Sequence, residues 1–169
     1  PGDHVVLTFP SCQHCRKCVG GKPAFCENVL ALAFGGERLD HSKTLHDASS
    51  STVNGCFFGQ SSFASHALAL KSNAIKVPRD VPIELLGPLG CGVQTGAGSV
   101  FNSLRPGAGS SFAVFGCGAV GLSALMAARI SGCAPLIAVD RIQSRLELAA
   151  SLGATMTIDA SRDNPVEVI

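Results

Sequence analysis

Four cysteines near the beginning of the chain have the spacing of a metal-binding loop. Cys12, Cys15 and Cys18 are three residues apart, and Cys26 follows after the turn-rich segment VGGKPAF. A loop of this size can wrap four thiolates around one tetrahedral Zn²⁺, and a site with four cysteine ligands has no open position for a substrate. The spacing therefore predicts a structural zinc site.

Two other kinds of chemistry use closely spaced cysteines. An iron–sulfur segment often reads C-x2-C-x2-C-x3-C-P, whereas Cys18 is followed by Val19-Gly20-Gly21 and the sequence contains no Cys-Pro pair. A thioredoxin-like redox pair needs no third and fourth cysteine. The eight cysteines occur in a chain whose start does not read as a secretory signal. This favours a reducing compartment, and metal or catalytic roles rather than a disulfide framework.

A glycine-rich segment, GCGAVG at residues 116–121, is the second candidate site. It follows a predicted strand, SSFAVFG, and opens a helical pattern, AVGLSALMAARISG. Gly116 permits a tight turn, Gly118 lets a pyrophosphate approach the backbone, and Gly121 lets the helix pack on the strand. The helix would present free N–H groups and its positive dipole end to the phosphates. In this context the motif predicts a dinucleotide-binding turn rather than a glycine-rich turn of an unrelated α/β protein.

The choice of dinucleotide depends on Asp140, which ends the next predicted strand 19 residues after Gly121. A carboxylate at this point can accept hydrogen bonds from the adenosine ribose, and Arg145 is expected to flank the same ribose. The carboxylate would repel a 2′-phosphate, so NAD is favoured over NADP. Arg141 is a counter-indication, because an arginine beside the ribose can receive that phosphate.

The elements that must position these sites differ along the chain. Residues 1–91 carry six of the eight cysteines, short strand patterns (VVLTF and FASHALAL) and a polar segment, ERLDHSKTLHDASSSTVNG, expected to be an exposed, mobile loop. Residues 92–169 alternate between predicted strands (SSFAVFG, PLIAV, ATMTI) and predicted helices (AVGLSALMAARISG, QSRLELAASLG). Such alternation with short connections predicts a parallel sheet with right-handed crossovers.

Composition narrows the range of functions. The 169 residues are 46% hydrophobic, with a formal net charge of +1 and no long basic or acidic run, which argues against nucleic-acid and membrane-surface roles. No apolar stretch reaches the length of a membrane span. The chain opens in a turn and ends in an unfinished helix, so we expect a fragment of a longer, cytoplasmic protein.

The combination of a four-cysteine loop with a dinucleotide turn resembles the zinc-containing medium-chain alcohol dehydrogenases. The resemblance rests on GDHVV before the cysteines, FFGQSSFASHAL, GPLGCGVQTGAG and VFGCGAVGLSALMAA, and it covers nearly the whole chain. ELLGPLGCGVQTGAGSVFNSL and GQSSFA are most similar to the aryl-alcohol (benzyl-alcohol) branch. The resemblance implies an α/β protein in which residues 1–91 are part of a GroES-like, β-rich catalytic domain with a zinc lobe. Residues 92–169 would be the first half of a Rossmann doubly wound parallel sheet that binds NAD.

The resemblance also implies roles for individual residues. Cys91 matches the last of three protein ligands of a catalytic zinc, a Lewis acid that lowers the pKa of the bound alcohol before hydride transfer. Thr95 and Val120 match positions that pack against the nicotinamide ring. Phe57 and Phe58 match positions that line the substrate pocket, where two aromatic side chains suit an aromatic or apolar alcohol.

Part of the family's machinery has no counterpart in this sequence. The other two catalytic-zinc ligands, a cysteine and a histidine, and the proton relay would precede Pro1, so the isolated chain is expected to be inactive. The full-length protein is expected to be a homo-oligomer that acts on a small-molecule alcohol or aldehyde. Two alternatives stay open: a polyol or threonine dehydrogenase, which tends to have a carboxylate where this chain has Cys91, and a non-catalytic zinc- and nucleotide-binding module.

Overall fold

A computed structural model describes residues 2–38, 40–60 and 64–169 of the chain. It divides into two compact units, Pro1–Gly87 and Pro88–Ile169. The division falls shortly before the predicted boundary between residues 91 and 92, and the domain assignments on either side remain predictions. Among the described residues, no helix has both the length and the apolar character needed to span a lipid bilayer.

The first unit has little regular structure. In chain order its strands and helices are β1 (Val5–Leu7), α1 (Arg16–Val19), α2 (Val29–Phe34), β2 (Leu45–His46), β3 (Thr52–Val53) and β4 (Ala74–Lys76). Short 3-10 turns occur at Pro23–Phe25, Phe57–Gly59, Lys71–Asn73 and Ile83–Leu85. Strand β1 pairs with β4 and β2 pairs with β3, both antiparallel, so the described residues of the unit form two separate two-stranded sheets.

Two sequence predictions for this unit need correction. The polar segment at residues 37–55, of which Leu39 lies outside the described residues, is otherwise largely exposed, as expected, but it contains the β2–β3 hairpin. Asp47 closes the hairpin turn by accepting hydrogen bonds from the N–H groups of Ser49 (2.8 Å) and Ser51 (2.9 Å). The segment FASHALAL forms no strand over residues 64–70, while Phe63 lies outside the described residues. Leu68 is 80% exposed, so the alternation of small and apolar residues there does not mark a buried face.

The second unit alternates strands and helices, as the sequence predicts. It begins with α3 (Gly92–Gly98), which follows a 3-10 turn at Gly87–Gly90 and continues as a π-helical segment at Ser99–Leu104. The remaining elements are β5 (Phe112–Phe115), α4 (Ala119–Ile130), β6 (Leu136–Asp140), α5 (Gln143–Leu152), β7 (Met156–Asp159) and α6 (Pro165–Val168). The three strands form one parallel sheet in the order β5-β6-β7. The predicted α/β class with a partial Rossmann-type sheet is confirmed.

The central strand β6 is covered on both faces. Leu136 and Ala138 belong to the main core, which includes buried residues of α4 and α5, whereas Ile137 and Val139 join a smaller cluster with Ile158 of β7. Successive side chains of a strand point to opposite faces, so a strand buried on both sides reads as a continuous apolar run. This is why PLIAV was recognisable in the sequence.

The parallel arrangement brings the carboxyl ends of the three strands to one edge of the sheet. Gly116 follows β5, Asp140 ends β6, and Asp159 ends β7 directly opposite Asp140 in the strand register. In open α/β sheets, ligands bind in the crevice outside these carboxyl ends. The fold therefore places the predicted glycine turn and the predicted ribose-binding carboxylate side by side.

Candidate metal and dinucleotide sites

The four cysteines of the N-terminal loop lie together in the structure. Their Sγ atoms are all within 4.8 Å of one another, and those of Cys12 and Cys18 are 3.9 Å apart. Four sulfur ligands at about 2.3 Å from a tetrahedral zinc ion are separated by about 3.8 Å. The cluster therefore has the donor chemistry and nearly the dimensions of a four-cysteine zinc site.

Local hydrogen bonds fold the loop so that its two ends meet. Helix α1 begins directly after Cys15, and the N–H of Gly21 donates to the carbonyl of Cys18 (3.0 Å) as the chain leaves it. Gly21 has φ +74°, a left-handed conformation that glycine adopts without steric cost. The N–H of Cys26 donates to the carbonyl of Pro23 (3.0 Å) at the end of the next turn. These turns return Cys26 to the first three thiols.

Two backbone N–H groups inside the loop donate to sulfur. The N–H of Cys12 lies 3.3 Å from Cys26 Sγ, and the N–H of Cys15 lies 3.3 Å from Cys12 Sγ. Hydrogen bonds to a thiolate favour its charged form, which is the form that binds metal. The loop therefore stabilises negative charge on sulfur with backbone groups that cannot be removed by side-chain substitution.

The thiols of the cluster differ in acidity. Burial alone would raise the pKa of Cys12, but hydrogen bonds from the His14 backbone and the Asn28 side chain, among others, lower it to about 5. Burial raises the pKa of Cys18 to about 12, with further contributions from neighbouring thiols. Hydrogen bonds from the backbone of Glu27 and Cys18 also lower the pKa of Cys15, so Cys12 and Cys15 form thiolates more readily than Cys18. A divalent metal is the partner that would keep all four deprotonated.

The glycine turn of the second unit has the shape that a bound pyrophosphate requires. Gly116 has φ +94°, and a Cβ atom at Gly118 would meet nothing within 4 Å. At Gly121, by contrast, a Cβ would overlap with the carbonyl oxygen of Gly116 and lie 3.0 Å from its carbonyl carbon. The turn is open above Gly118 and closely packed at Gly121, so the residues present fit a dinucleotide.

Asp140 is fixed beside this turn by three backbone donors. The N–H of Cys117 donates to Oδ2 (2.6 Å), and the N–H groups of Arg141 (2.7 Å) and Ile142 (2.9 Å) donate to Oδ1. The hydrogen bond from Cys117 is the largest influence that lowers the pKa of Asp140, and the nearby charge of Arg145 (3.9 Å from Oδ2) acts in the same direction. The carboxylate is therefore charged and held in one orientation.

Sequence reasoning missed the bond from Cys117, because it involves a backbone group of a variable position in the motif. The Cys117 side chain is buried, at 1% exposure, and faces the carbonyl of Val139 at 3.7 Å. The strand order alone would have placed the turn near Asp140, but the direction of one N–H group is not readable from residue types. The hydrogen bond from the Cys117 N–H joins the predicted phosphate-binding turn directly to the predicted ribose-binding carboxylate of Asp140.

A cavity of about 640 Å³ opens outside the carboxyl ends of the strands. Its lining residues come from the ends of all three strands and from the first turn of α5: Phe115, Gly116, Val139, Asp140, Arg141, Ile142, Arg145, Ala160 and Ser161. The predicted cofactor-binding residues Gly116, Asp140 and Arg145 therefore meet at one cleft. Its size and its position at the sheet edge suit the adenosine part of a dinucleotide.

Cys91 and Thr95 belong to the second unit. Cys91 directly precedes α3 and is exposed, and the N–H of Thr95 donates to its carbonyl at 2.9 Å, one helical turn further on. Val120 lies in the first turn of α4 and is 47% exposed. The three residues with predicted roles near the metal and the nicotinamide ring are therefore all accessible.

Phe57 and Phe58 belong to an aromatic cluster in the first unit. Their ring centroids are 4.4 Å apart, Phe9 contacts Phe58 at 4.9 Å, and Phe34 contacts Phe58 at 5.3 Å and Phe57 at 5.7 Å, all edge to face. Sequence reasoning missed Phe34, whose only signal was an aromatic residue at the end of a short helix. Phe58 has φ +53°, a conformation that is unusual for a bulky residue and often marks a functional segment.

Comparison with known proteins extends these observations. A family model described as zinc-binding dehydrogenase matches residues 119–169. Geraniol dehydrogenase from Castellaniella defragrans is 51% identical over 160 residues, which are 94% of this chain and 43% of the relative. A probable alcohol dehydrogenase from a Pseudomonas species is 48% identical over 99% of this chain and 53% of its own length. The chain thus spans about half the length of these relatives.

Two solved structures match both units of the chain. An alcohol dehydrogenase zinc-binding domain protein from Burkholderia ambifaria is 56% identical, with a TM-score of 0.93 over 99% of this chain and 45% of that one. Benzyl alcohol dehydrogenase from Acinetobacter calcoaceticus is 48% identical, with a TM-score of 0.87 over 99% of this chain and 44% of that one. With a zinc-sized thiol cluster and a dinucleotide turn in the matched segment, the chain belongs to the zinc-binding medium-chain alcohol dehydrogenase family.

Proposed function

We propose that the full-length protein is an NAD-dependent, zinc-assisted dehydrogenase that transfers hydride between a primary, aromatic alcohol and its aldehyde. The observation that carries this proposal is the charged Asp140 carboxylate, fixed beside an open glycine turn. Such a pair is built to bind the ribose and pyrophosphate of a nicotinamide dinucleotide. The relatives named for geraniol and benzyl alcohol support an alcohol as the second substrate.

Cys12, Cys15, Cys18 and Cys26 are proposed to hold a structural zinc ion. Four thiolates leave no coordination position for a substrate, so this ion would order the loop rather than take part in the reaction. The backbone donors to sulfur described above act in the same sense, because they hold the thiolates in place for the metal. Folding of this loop and metal binding are thus expected to be coupled.

Cys91 is proposed as one ligand of a second, catalytic zinc ion, and its side chain is exposed. When bound, that zinc would act as a Lewis acid that lowers the pKa of the alcohol. This chain contributes the thiolate at the start of α3 and, one turn later, Thr95, which would pack against the nicotinamide ring together with Val120. The family's other two ligands, a cysteine and a histidine, have no match in this sequence.

The preference for NAD rests on the charges around the cleft. Three of the roughly four lone-pair directions of the Asp140 carboxylate are already used by N–H groups, which leaves Oδ2 able to accept one ribose hydroxyl. A 2′-phosphate would meet this fixed negative charge. Arg141 also lines this cleft and is the counter-indication, because an arginine beside the ribose can receive that phosphate.

An aromatic alcohol is proposed because of the ring cluster around Phe57 and Phe58, since aromatic rings pack well edge to face or offset against one another. A second candidate, an apolar non-aromatic alcohol, is favoured by the 51% identity to geraniol dehydrogenase. The full-length protein is further proposed to be a cytoplasmic homo-oligomer.

A substrate and cofactor panel tests the proposed function. The protein is expressed from the complete reading frame that encodes this chain, and NADH or NADPH formation is followed with benzyl alcohol, geraniol and ethanol. We expect the highest kcat/KM with benzyl alcohol and NAD. Preference for geraniol would select the second candidate, and absence of hydride transfer with every alcohol would contradict the proposal and favour a non-catalytic module.

A further inference from the structure

The contact between α3 and α4 is made by glycines. A Cβ atom at Gly96 would overlap with the carbonyl oxygen of Val120 and would lie 2.8 Å from Ser123 Cβ and 2.9 Å from the backbone nitrogen of Ala124. Carbon atoms in van der Waals contact are about 3.5–4.0 Å apart. Any side chain at position 96 would therefore push the two helices apart by roughly 1 Å.

A second glycine on the same face makes a looser contact. Gly92 lies one helical turn before Gly96, and a Cβ there would be 3.2 Å from the Cβ of Ala119. Residues four apart lie on one face of a helix, so this glycine face of α3 rests on the first turn of α4. Gly98 lies off that face, because a Cβ there would meet only the side chain of Asn102, at 3.6 Å.

The close contact cannot relax by moving a flexible side chain. The atom nearest to a Cβ at Gly96 is a backbone carbonyl oxygen inside α4. The Ser123 hydroxyl is bonded to the carbonyl of Ala119 at 2.6 Å, which holds its Cβ in place. In the first turn of α3, the Gln94 side chain donates to the carbonyl of Gly90 at 2.6 Å. Both partners are therefore stiff, and a larger residue would displace a helix rather than a side chain.

The two helices carry different parts of the proposed reaction. Helix α3 begins after Cys91 and contains Thr95, whereas α4 begins at the glycine turn and contains Val120. Gly96 is next to Thr95 in sequence and contacts the backbone of Val120. One contact thus sets the spacing between the proposed metal ligand on one side and the phosphate-binding turn and ring-packing residue on the other.

We propose that Gly96 is a positioning residue for hydride transfer, because the absence of a side chain there fixes the distance between the Cys91–Thr95 segment and Val120. This inference rests on the proposed function. Hydride transfer requires the alcohol and the nicotinamide ring to be held near van der Waals contact. A misplacement of about 1 Å can lower the rate of such a reaction about 10²-fold. Asp140, on β6 at the sheet edge, is outside this contact, so adenosine binding should not depend on it.

The test compares three alanine variants of the full-length protein. Gly96→Ala should lower kcat about 10²-fold, and Gly92→Ala less, because its Cβ needs a shift of only a few tenths of an ångström. Gly98→Ala is the matched control and should leave kcat unchanged. The Kd of NAD, measured by calorimetry without alcohol, should be unchanged in all three.

Two further readouts separate positioning from loss of folded protein. With benzyl alcohol deuterated at the reacting carbon, the isotope effect on kcat should rise in Gly96→Ala, because hydride transfer becomes more rate-limiting. The fluorescence of bound NADH, which reports the surroundings of the nicotinamide ring, should change in Gly96→Ala and not in Gly98→Ala. A loss of kcat with unchanged isotope effect and unchanged NADH fluorescence would mean a smaller folded fraction and would overturn the proposal.

The remaining outcomes are also decisive. Where Gly96→Ala does not fold, Gly92→Ala decides: an unchanged isotope effect and unchanged NADH fluorescence in that variant overturn the positioning role. An inactive wild-type protein contradicts the proposed function itself, and the positioning role falls with it. Active wild-type protein together with fully active Gly96→Ala overturns only the role of Gly96.

Discussion

At the scale of single residues, Asp140 shows how backbone groups prepare a side chain for binding. Its side chain is only 8% exposed, and its carboxylate accepts hydrogen bonds from the N–H groups of Cys117, Arg141 and Ile142. Because one donor belongs to the glycine turn itself, the turn and the carboxylate are joined before any ligand arrives. A change at Asp140 should therefore act on the choice of dinucleotide more than on the fold.

Asp140→Ser in the full-length protein is expected to weaken NAD binding and to relieve the exclusion of NADP. Discrimination of this kind is worth roughly 2–3 kcal/mol, because a 2′-phosphate no longer meets a fixed negative charge. The ratio of kcat/KM values for the two dinucleotides measures it. Asp159→Asn is the matched control, since its carboxylate ends the neighbouring strand and bonds to Ser161. An unchanged ratio in Asp140→Ser would mean that the ribose is recognised elsewhere.

Other features at the scale of single residues could not be predicted from the sequence. The contact of Phe34 with Phe57 and Phe58 joins segments more than twenty residues apart, and no local pattern predicts which exposed aromatic side chains will meet. The overlap that any side chain at Gly96 would cause depends on the separation of two helices. Residue types and spacing suggested the four-cysteine cluster and the glycine turn because both are short segments whose geometry depends on a few local turns.

At the scale of elements, the four-cysteine loop and the edge of the parallel sheet could both be predicted from short stretches of sequence. Helix α4 was predictable from its helical periodicity and strand β6 from its continuous apolar run, and Gly132 and Asp140 marked the predicted ends of these segments. The β2–β3 hairpin was missed because its turn depends on the Asp47 carboxylate and its strands are only two residues long. Short strands in a polar segment give no apolar periodicity to read.

The four-cysteine loop is expected to contain one zinc ion in the purified protein. Changing both Cys15 and Cys18 to serine should remove one zinc equivalent per chain, because two of the four thiolates are lost. Elemental analysis measures the metal, and Cys133→Ser, a buried cysteine of the second unit, is the control that should retain it. Iron with visible charge-transfer absorbance would contradict the assignment.

At the scale of the whole molecule, the chain is about half of the relatives it matches, 43% and 53% of their lengths. Under the proposed assignment it would supply one thiolate, Cys91, where the family's catalytic zinc has three protein ligands. One ligand cannot hold zinc in a defined geometry, and an alcohol that is not bound to zinc keeps its high pKa. The 169-residue chain by itself is therefore expected to show no hydride transfer, even where it binds NAD weakly through Gly116–Gly121.

The most direct measurement is NADH formation from benzyl alcohol by the full-length protein and its Cys91→Ser variant, with the Kd of NAD determined in parallel. The full-length protein should turn over, and Cys91→Ser should abolish turnover while leaving the Kd of NAD nearly unchanged, because the substitution removes a metal ligand and not the adenosine site. Robust turnover by Cys91→Ser, or by the 169-residue chain alone, would contradict the assignment of Cys91 to the catalytic metal.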